Sequence, residues 1–169
     1  MLYQTHFVGG VAAGGAAALF LHVPSAAVLP VMLVSGAAAV LPDVDHGGSL
    51  PNRLLGLGGK VVSTFVPHRT MTHSLAFCAA VVFGLLALRV PHVYVLAAAV
   101  GVLSHLVLDS FNPHGVPWLW PLGKHFSTAP LVFATGGWGE SVVVRPAMYL
   151  AVFLCVARFL GFSFNLGWR

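Results

Sequence analysis

Long apolar runs separated by short polar clusters dominate the chain. Five runs are long enough, or nearly so, to form membrane-spanning helices: residues 7–23, 25–41, 74–90, 93–111 and 146–162. A bilayer core about 30 Å thick requires roughly 20 apolar residues of helix, and fewer for a helix that packs inside a bundle. The pattern therefore predicts an all-α, polytopic membrane bundle of about five transmembrane helices.

Composition strengthens this prediction. Of the 169 residues, 58% are hydrophobic and only 7% are charged, and the mean hydropathy is +0.91, which excludes a soluble globular protein. The charges are scattered singly, so the net charge of +4 predicts no nucleic-acid surface. Cys78 and Cys155 lie in apolar runs and indicate neither disulfides nor a cysteine-rich zinc site. Because no basic residue precedes the first run, we expect an uncleaved, single membrane-embedded domain over residues 1–169.

Glycine and alanine crowd the first two runs, and such small residues let helix backbones approach closely. We therefore expect a compact bundle. Between the second and third runs, residues 54–62 are apolar but interrupted by glycine. This pattern predicts an interfacial or re-entrant segment in place of a sixth crossing.

The basic residues indicate an orientation. If five helices alternate, the N-terminus and the loops 42–72 and 112–145 share one face. That face carries Arg53, Lys60, Arg69, Lys124 and Arg145, whereas the other carries Arg89, Arg158 and Arg169. The positive-inside rule then places the long loops in the cytoplasm.

Eight histidines and aspartates gather at the run ends on that same face. They are His6, Asp43, Asp45, His46, His68, His73, His105 and Asp109. Neutral imidazole and carboxylate are the ligands that divalent transition metals accept, and a metal would offset the cost of placing these groups near hydrocarbon. The sequence thus predicts a one-sided divalent metal site. We predict zinc, with manganese or iron as alternatives.

Spacing suggests how these side chains meet. His105 and Asp109 are four residues apart on a helix and share a face, either as two ligands or as a ligand and its orienting carboxylate. Asp43 and Asp45 are expected in an extended segment, pointing the same way. His68 is expected just before a helix whose first turn carries His73, with Thr70 or Thr72 as its N-cap.

Each motif alone has a plainer interpretation. The Asp-x-Asp-His segment could be a solvated turn, and His-x-x-x-Asp an ordinary pair on a helix surface. Convergence on one face of a chain so poor in charge favours a site. Three histidines stay open between ligand and ordinary polar residue: His6, His114 and His125. The remaining histidines and three tryptophans are expected to anchor the membrane interfaces: His22, His92, Trp118, Trp120 and Trp138.

Arg69 would be carried into the same pocket by its position between His68 and His73. Two roles are open to it. The first is a salt bridge to Asp43 or Asp45. The second is to bind a phosphate or a developing oxyanion as a fixed cation.

Four motifs in order closely resemble the YdjM-like family of LexA-regulated, inner-membrane, metal-dependent hydrolases. They are Pro42-Asp43-Val44-Asp45-His46, His68-Arg69-x-x-Thr72-His73-Ser74, Ser104-His105-Leu106-x-Leu108-Asp109 and Gly115-Val116-Pro117-Trp118-Leu119-Trp120-Pro121. The resemblance covers residues 5–130 and implies a membrane-bound metal-dependent hydrolase. It implies metal positions at Asp43, Asp45, His46, His68, His73, His105 and Asp109, with His6 matching the family's N-terminal histidine.

Together these features predict hydrolysis by metal-activated water at the membrane boundary. In this hypothesis Asp43 or Asp45, whichever is not a ligand, accepts the proton, and Arg69 holds an anionic substrate. A looser likeness to helical zinc phospholipases C suggests a phosphoester, and the depth of the site suggests a lipid or lipid-linked one. The alternative is a metal-ion or proton-coupled transporter or sensor that uses the same cluster.

Overall fold

A computed structural model describes residues 1–123, 126–127 and 131–162. Lys124, His125 and Arg169, to which the sequence assigned roles, lie outside the described residues. Within that part the chain is helical, with an isolated antiparallel bridge between Val116 and Phe126. The helices are α1 Tyr3–Phe20, α2 Ser25–Ala38, α3 Leu50–Leu54, α4 Leu57–Phe65, α5 Leu75–Ala87, α6 His92–Ser110 and α7 Arg145–Phe159.

The predicted helical membrane bundle is confirmed. In the described ranges, three helical stretches are long and apolar enough to cross a membrane, namely Ser25–Asp45, His92–Ser110 and Glu140–Phe159. Helix α5 is apolar but has only 13 residues. Helix α1 begins at Tyr3, earlier than the apolar run suggested, so His6 lies inside the helix.

Helix α1 packs between α2, α6 and α7, and its glycines set the spacing. A Cβ on Gly10 would lie 2.5 Å from the Cβ of Ala39, and one on Gly14 would lie 2.6 Å from the Cβ of Ser35. On α6, a Cβ at Gly101 would stand 2.2 Å from the Ser35 carbonyl oxygen. Three helices therefore meet at backbone contact around Ser35, as expected for small residues in a membrane bundle.

The turn after α2 differs from the sequence prediction. Leu41–Asp45 forms a 3₁₀ turn, so the expectation that Asp43 and Asp45 lie in an extended segment was wrong. Pro42 lies in the first turn of this element, where its fixed φ suits a helical start and its missing N–H is not needed. A 3₁₀ turn sends the two carboxylates in different directions, and this separates their roles below.

The start of α5 also differs. Neither Thr70 nor Thr72 caps this helix; the Ser74 hydroxyl accepts the hydrogen bond from the Phe77 amide, at 3.3 Å. Thr72 instead turns inward and donates to the Asp45 carboxylate. His73 belongs to a short 3₁₀ turn, Met71–His73, ahead of the helix. The buried carboxylate therefore takes Thr72 away from the capping position.

Candidate metal centre

The polar side chains from four separate segments meet at one end of the bundle. Three overlapping groups have ligand-type atoms within 4.8 Å of one another: His6, His105 and Asp109; Asp43, His73 and His105; and Asp45, His68 and His73. Seven of the eight predicted metal positions are thus brought together. His6, His73, His105 and Asp109 are at most 1% exposed, a degree of burial that ionisable groups tolerate only with partners.

His105 has a clear orientation. Its Nδ1 lies 2.7 Å from the carbonyl oxygen of Ala39, and only a protonated Nδ1 can donate there. The tautomer assigned in this way leaves the lone pair on Nε2, which is buried and has no hydrogen-bond partner in the described part of the chain. A metal-binding histidine characteristically donates its second nitrogen to a carbonyl or carboxylate in this manner.

Four atoms surround a common centre. His73 Nε2 lies 3.6 Å from Asp43 Oδ1 and 3.8 Å from Asp109 Oδ2. His105 Nε2 lies 3.9 Å from the same Asp43 oxygen and 3.8 Å from the same Asp109 oxygen. Ligands at about 2.0–2.2 Å from a tetrahedral ion stand roughly 3.3–3.6 Å apart. The spacing is slightly wider than ligand separation and well beyond a hydrogen bond, so these four side chains could hold one divalent ion.

Asp45 behaves differently, because its oxygens are taken up by hydrogen bonds. His68 Nδ1 lies 2.7 Å from Oδ1, the Arg69 amide donates to Oδ2 at 3.0 Å, and the Thr72 hydroxyl donates to the same Oδ2. Asp45 Oδ2 also lies 3.4 Å from His73 Nδ1. These are hydrogen-bond contacts, so the geometry favours Asp45 as a group that orients His68 and His73 over a direct ligand.

The carboxylates also set the charge of His73. Burial lowers the pKa of this imidazole, but the adjacent carboxylates of Asp43 and Asp45 outweigh burial and raise it to about 9. Without a metal, His73 is therefore protonated at neutral pH. A metal ion requires the neutral ring, so metal and proton compete for the same nitrogen.

His6, left open by the sequence, lies inside the cluster. Its ring stacks on His105 with ring centroids 3.8 Å apart, and its Nε2 lies 3.2 Å from Asp109 Oδ1. Neither ring nitrogen makes a hydrogen bond to the residues that the structure describes. A fully buried imidazole in this state is costly, and a ligand at the centre would account for it.

Arg69 reaches the cluster, but its partner differs from the predicted one. Its Nη2 lies 2.9 Å from Asp109 Oδ2 in an ion pair without hydrogen-bond alignment, and Nη1 donates to Asn112 Oδ1 at 2.9 Å. Of the two roles that the sequence left open, the salt bridge to Asp43 or Asp45 is not formed among the described residues, because Arg69 pairs with Asp109. Arg69 adopts a left-handed φ of 60°, and Asp45 captures its backbone amide, so the guanidinium extends toward the end of α6.

Four of the described histidines lie outside the three groups, namely His22, His46, His92 and His114. His46 is exposed, and its ring contacts that of His68, with ring centroids 4.8 Å apart. His114 is also exposed, and its Nδ1 lies 3.1 Å from Asn112 Oδ1. The structure therefore does not bring His46, a predicted metal position, within ligand distance of the others.

The sequence prediction missed Glu140, which is fully buried. Its carboxylate accepts hydrogen bonds from the Leu2 amide at 2.7 Å, the Thr5 hydroxyl at 2.6 Å and the Gly136 amide at 2.7 Å. It thereby caps the start of α1 in place of a local side chain and fixes the turn that carries His6. The signal in the sequence was an acid shortly before the last apolar run, and two of its partners, Leu2 and Thr5, lie more than 130 residues away.

A cavity of about 280 Å³ connects the cluster to the surface. Its polar wall contains Asp43, His46, His68 and Arg69, and its rim contains Leu2 and Tyr3. The Arg69 side chain is 13% exposed and the His68 side chain 38%. A small molecule could therefore approach the buried centre from this side.

Comparisons with known proteins identify relatives of this chain. Residues 1–166 match the family described as YdjM inner membrane protein. A Bacillus subtilis (strain 168) protein named "Uncharacterized protein YvsG" is 34% identical over 147 residues, covering 85% of this chain and 88% of that protein. Proteins named "Inner membrane protein YdjM" from Escherichia coli (strain K12) and Shigella flexneri are each 34% identical over 130 residues, covering 72% of this chain and 59% of the relative. No solved structure matches the chain. The chain therefore belongs to the YdjM family of inner membrane proteins.

Proposed function

We propose that this protein is a membrane-embedded, metal-dependent hydrolase of phosphoesters. The observation that carries the proposal is the arrangement of Asp43, His73, His105 and Asp109, in which each histidine Nε2 lies 3.6–3.9 Å from one oxygen of each carboxylate. The Nε2 atoms of both histidines are buried without a hydrogen bond among the described residues, which suits them to bind a cation. Two imidazoles and two carboxylates suit zinc, with manganese or iron as alternatives.

A divalent ion held there would supply a Lewis acid that polarises the scissile group and makes water more acidic. The residue best suited to accept a proton from water is His68. It lines the cavity. The Asp45 carboxylate accepts a hydrogen bond from the Nδ1–H of His68 at 2.7 Å, so the lone pair of the ring is on Nε2 and can take up a proton. We expected Asp43 or Asp45 to be the base; the hydrogen bonds to Asp45 instead support an orienting role for that carboxylate.

Arg69 is suited to hold an anionic substrate. Its guanidinium has five N–H donors in a planar fork. In the described part of the chain Nη1 donates to Asn112 and Nη2 forms an ion pair with Asp109. The group lies in the cavity wall beside the centre. Phosphate oxygens fit such a fork, and this supports a phosphoester over an uncharged amide or ester.

The rival function, transport of a metal ion or of protons, needs polar groups that continue through the bundle. Beyond the site, the core between α1, α2 and α6 consists of Ala18, Val28, Val31, Met32 and Ala97. In the described residues of this region we find no acid that would extend a pathway. A one-sided polar cluster above an apolar core supports catalysis at the membrane boundary.

The proposal also places this site on the cytoplasmic face, because Arg53, Lys60, Arg69 and Arg145 belong to the segments around it. Single cysteines at Gly56 and Gly136, in a background without Cys78 and Cys155, test this placement. A membrane-impermeant maleimide should label them only after the cells are opened. Labelling of intact cells would reverse the orientation and leave the clustering of the site unchanged.

Metal analysis of detergent-purified protein tests the function. We expect one divalent ion per chain and hydrolysis of a phosphodiester such as bis(p-nitrophenyl) phosphate. His105→Ala should lose both, whereas His92→Ala, at the start of the same helix and far from the site, should lose neither. Wild-type protein that neither carries nor binds a divalent ion would disprove the proposal.

A further inference from the structure

Helix α4 presents an unpartnered apolar face close to the site. Leu57 is 81% exposed, Val61 57% and Phe65 79%, and their spacing of four residues places them on one side of the helix. The opposite side carries Gly59, which is buried against Asn52, and Ser63, whose hydroxyl donates to the Lys60 carbonyl at 3.1 Å, while Lys60 borders the apolar face. A short helix with this division of polarity is typical of a segment that lies in a membrane interface.

The chain connections keep this helix at membrane level. The candidate span Ser25–Asp45 ends five residues before α3 begins at Leu50, and five residues reach at most about 18 Å. On its other side, the loop after Phe65 leads into the apolar helix α5. The α3–α4 hairpin, residues 50–65, is therefore tethered at both ends to helices that enter the bilayer.

Hydrogen bonds fix this hairpin rigidly to the site. Asn52, only 5% exposed, donates to the Val44 carbonyl at 2.8 Å and to the Gly59 carbonyl at 2.6 Å. The Ser49 hydroxyl donates to the Asp43 carbonyl at 2.6 Å. Any position that the hairpin takes relative to the bilayer is thus transmitted to the turn that carries Asp43 and Asp45.

The transmembrane helices next to the hairpin also expose large apolar side chains. Phe83 on α5 is 69% exposed, and Leu29 on α2 is 63% exposed. In a member of an inner membrane family, these bundle side chains face acyl chains. Because the hairpin is tethered between α2 and α5, the same lipid leaflet is the occupant that fits its apolar face.

The geometry points to the α3–α4 hairpin as an in-plane membrane element that holds the cavity mouth at headgroup level, so that the substrate is the phosphate-bearing headgroup of a membrane lipid. The cavity is lined by Leu50 of the hairpin, by Leu2 and Tyr3 at the start of α1, and by Arg69. The three apolar residues are 37–44% exposed, whereas the Arg69 side chain is 13% exposed. Apolar residues at the rim suit acyl chains, and the cation inside suits a phosphate. The identification of the substrate rests on the proposed hydrolase function; the membrane contact of the hairpin does not.

Depth measurement tests the membrane contact. In a background without Cys78 and Cys155, single cysteines replace Leu57, Val61 or Phe65, with Ser63→Cys as the matched control on the far side of the helix. Each is labelled with an environment-sensitive fluorophore in vesicles of phosphatidylcholine and phosphatidylglycerol that carry brominated acyl chains. We expect strong quenching at the three apolar positions and weak quenching at the control. Equal quenching at all four positions, or no quenching because protein covers the face, would overturn the proposal.

A second measurement tests the substrate class. Leu57→Ser combined with Phe65→Ser should lower hydrolysis of a fluorescent phosphatidylglycerol in vesicles by about tenfold or more, because two interfacial anchors are lost. Hydrolysis of soluble bis(p-nitrophenyl) phosphate should stay within about twofold, since neither residue lines the cavity. Equal losses on both substrates would contradict the lipid assignment. Wild-type protein that hydrolyses neither substrate would refute the hydrolase function, and the quenching pattern would still decide whether the hairpin enters the membrane.

Discussion

The different environments of Asp43 and Asp45 lead to a sharp prediction for metal affinity. Asp43 Oδ1 faces both His73 Nε2 and His105 Nε2, whereas the Asp45 carboxylate is bonded to His68, Arg69 and Thr72. Asp45→Asn keeps the shape and one acceptor oxygen, but its amide nitrogen replaces the other oxygen and cannot accept a hydrogen bond. The variant therefore loses either the bond from His68 or the bonds from the Arg69 amide and the Thr72 hydroxyl. We therefore expect a weakened but intact metal site.

The magnitude follows from the role of an orienting group. Loss of a hydrogen bond that positions a metal ligand typically reduces metal affinity by about 10–100-fold, or about 1.4–2.8 kcal/mol. Loss of a direct ligand should prevent stoichiometric binding at micromolar metal. Asp45→Asn should therefore retain zinc with an affinity within about 100-fold of wild type, whereas Asp43→Asn and His105→Ala should retain none.

Competition with a fluorescent zinc chelator in detergent measures these affinities directly. Thermal unfolding of each metal-free variant serves as a control for folding, and Thr70→Ala is the matched neutral substitution, because its hydroxyl donates only to the Pro67 carbonyl. The reasoning is refuted if Asp45→Asn loses zinc as completely as His105→Ala, since Asp45 would then be a ligand. It is equally refuted if Asp43→Asn keeps wild-type affinity.

Three further predictions concern other parts of the site. Arg69→Lys should retain metal but lose about tenfold or more in turnover of a phosphodiester, because lysine keeps the charge without the planar fork; near-normal kinetics would leave Arg69 a generic cation. The pKa of His73 is raised from 6.5 to about 9, so the metal-free protein should lose stability as the pH rises from 6.5 through about 9, and zinc affinity should increase over the same range as the competing proton leaves. Chelator competition across this pH range measures the zinc affinity, and an affinity that does not change with pH would contradict the prediction. Glu140→Gln should lower the free energy of unfolding by about 1–3 kcal/mol and weaken zinc binding through His6, because charge-assisted hydrogen bonds at the start of α1 are lost. Denaturant titration and the zinc assay measure the two effects, and unchanged zinc affinity would show that Glu140 does not influence the metal site.

The membrane bundle and the location of its polar end could be predicted from sequence because their causes are local. A run of apolar residues makes a helix in lipid whatever its neighbours are, since its backbone must satisfy its own hydrogen bonds. Glycines such as Gly10 and Gly101 indicate close packing by their size alone. The motifs around Asp43, His73 and His105 lie at run ends, so hydropathy was enough to place them on one face.

The roles of individual side chains depend on distances that no local pattern contains. Asp43 and Asp45 are two residues apart, yet the 3₁₀ turn directs one toward two imidazole nitrogens and the other into hydrogen bonds with the 68–72 segment. Arg69 pairs with Asp109 because its own amide is held by Asp45. Nothing in the spacing of these residues distinguishes a ligand from the group that orients it.

Glu140 is the clearest case of a residue whose role arises only in the folded chain. Its carboxylate caps α1 by accepting from the amide of Leu2, 138 residues earlier in the sequence. The local sequence around Leu2 does not indicate that partner. Sequence patterns report which groups must be buried or solvated, because this is a property of each residue. The packing of α1, α6 and α7 decides which buried donor pairs with which acceptor. These pairings therefore exist only in the fully packed bundle.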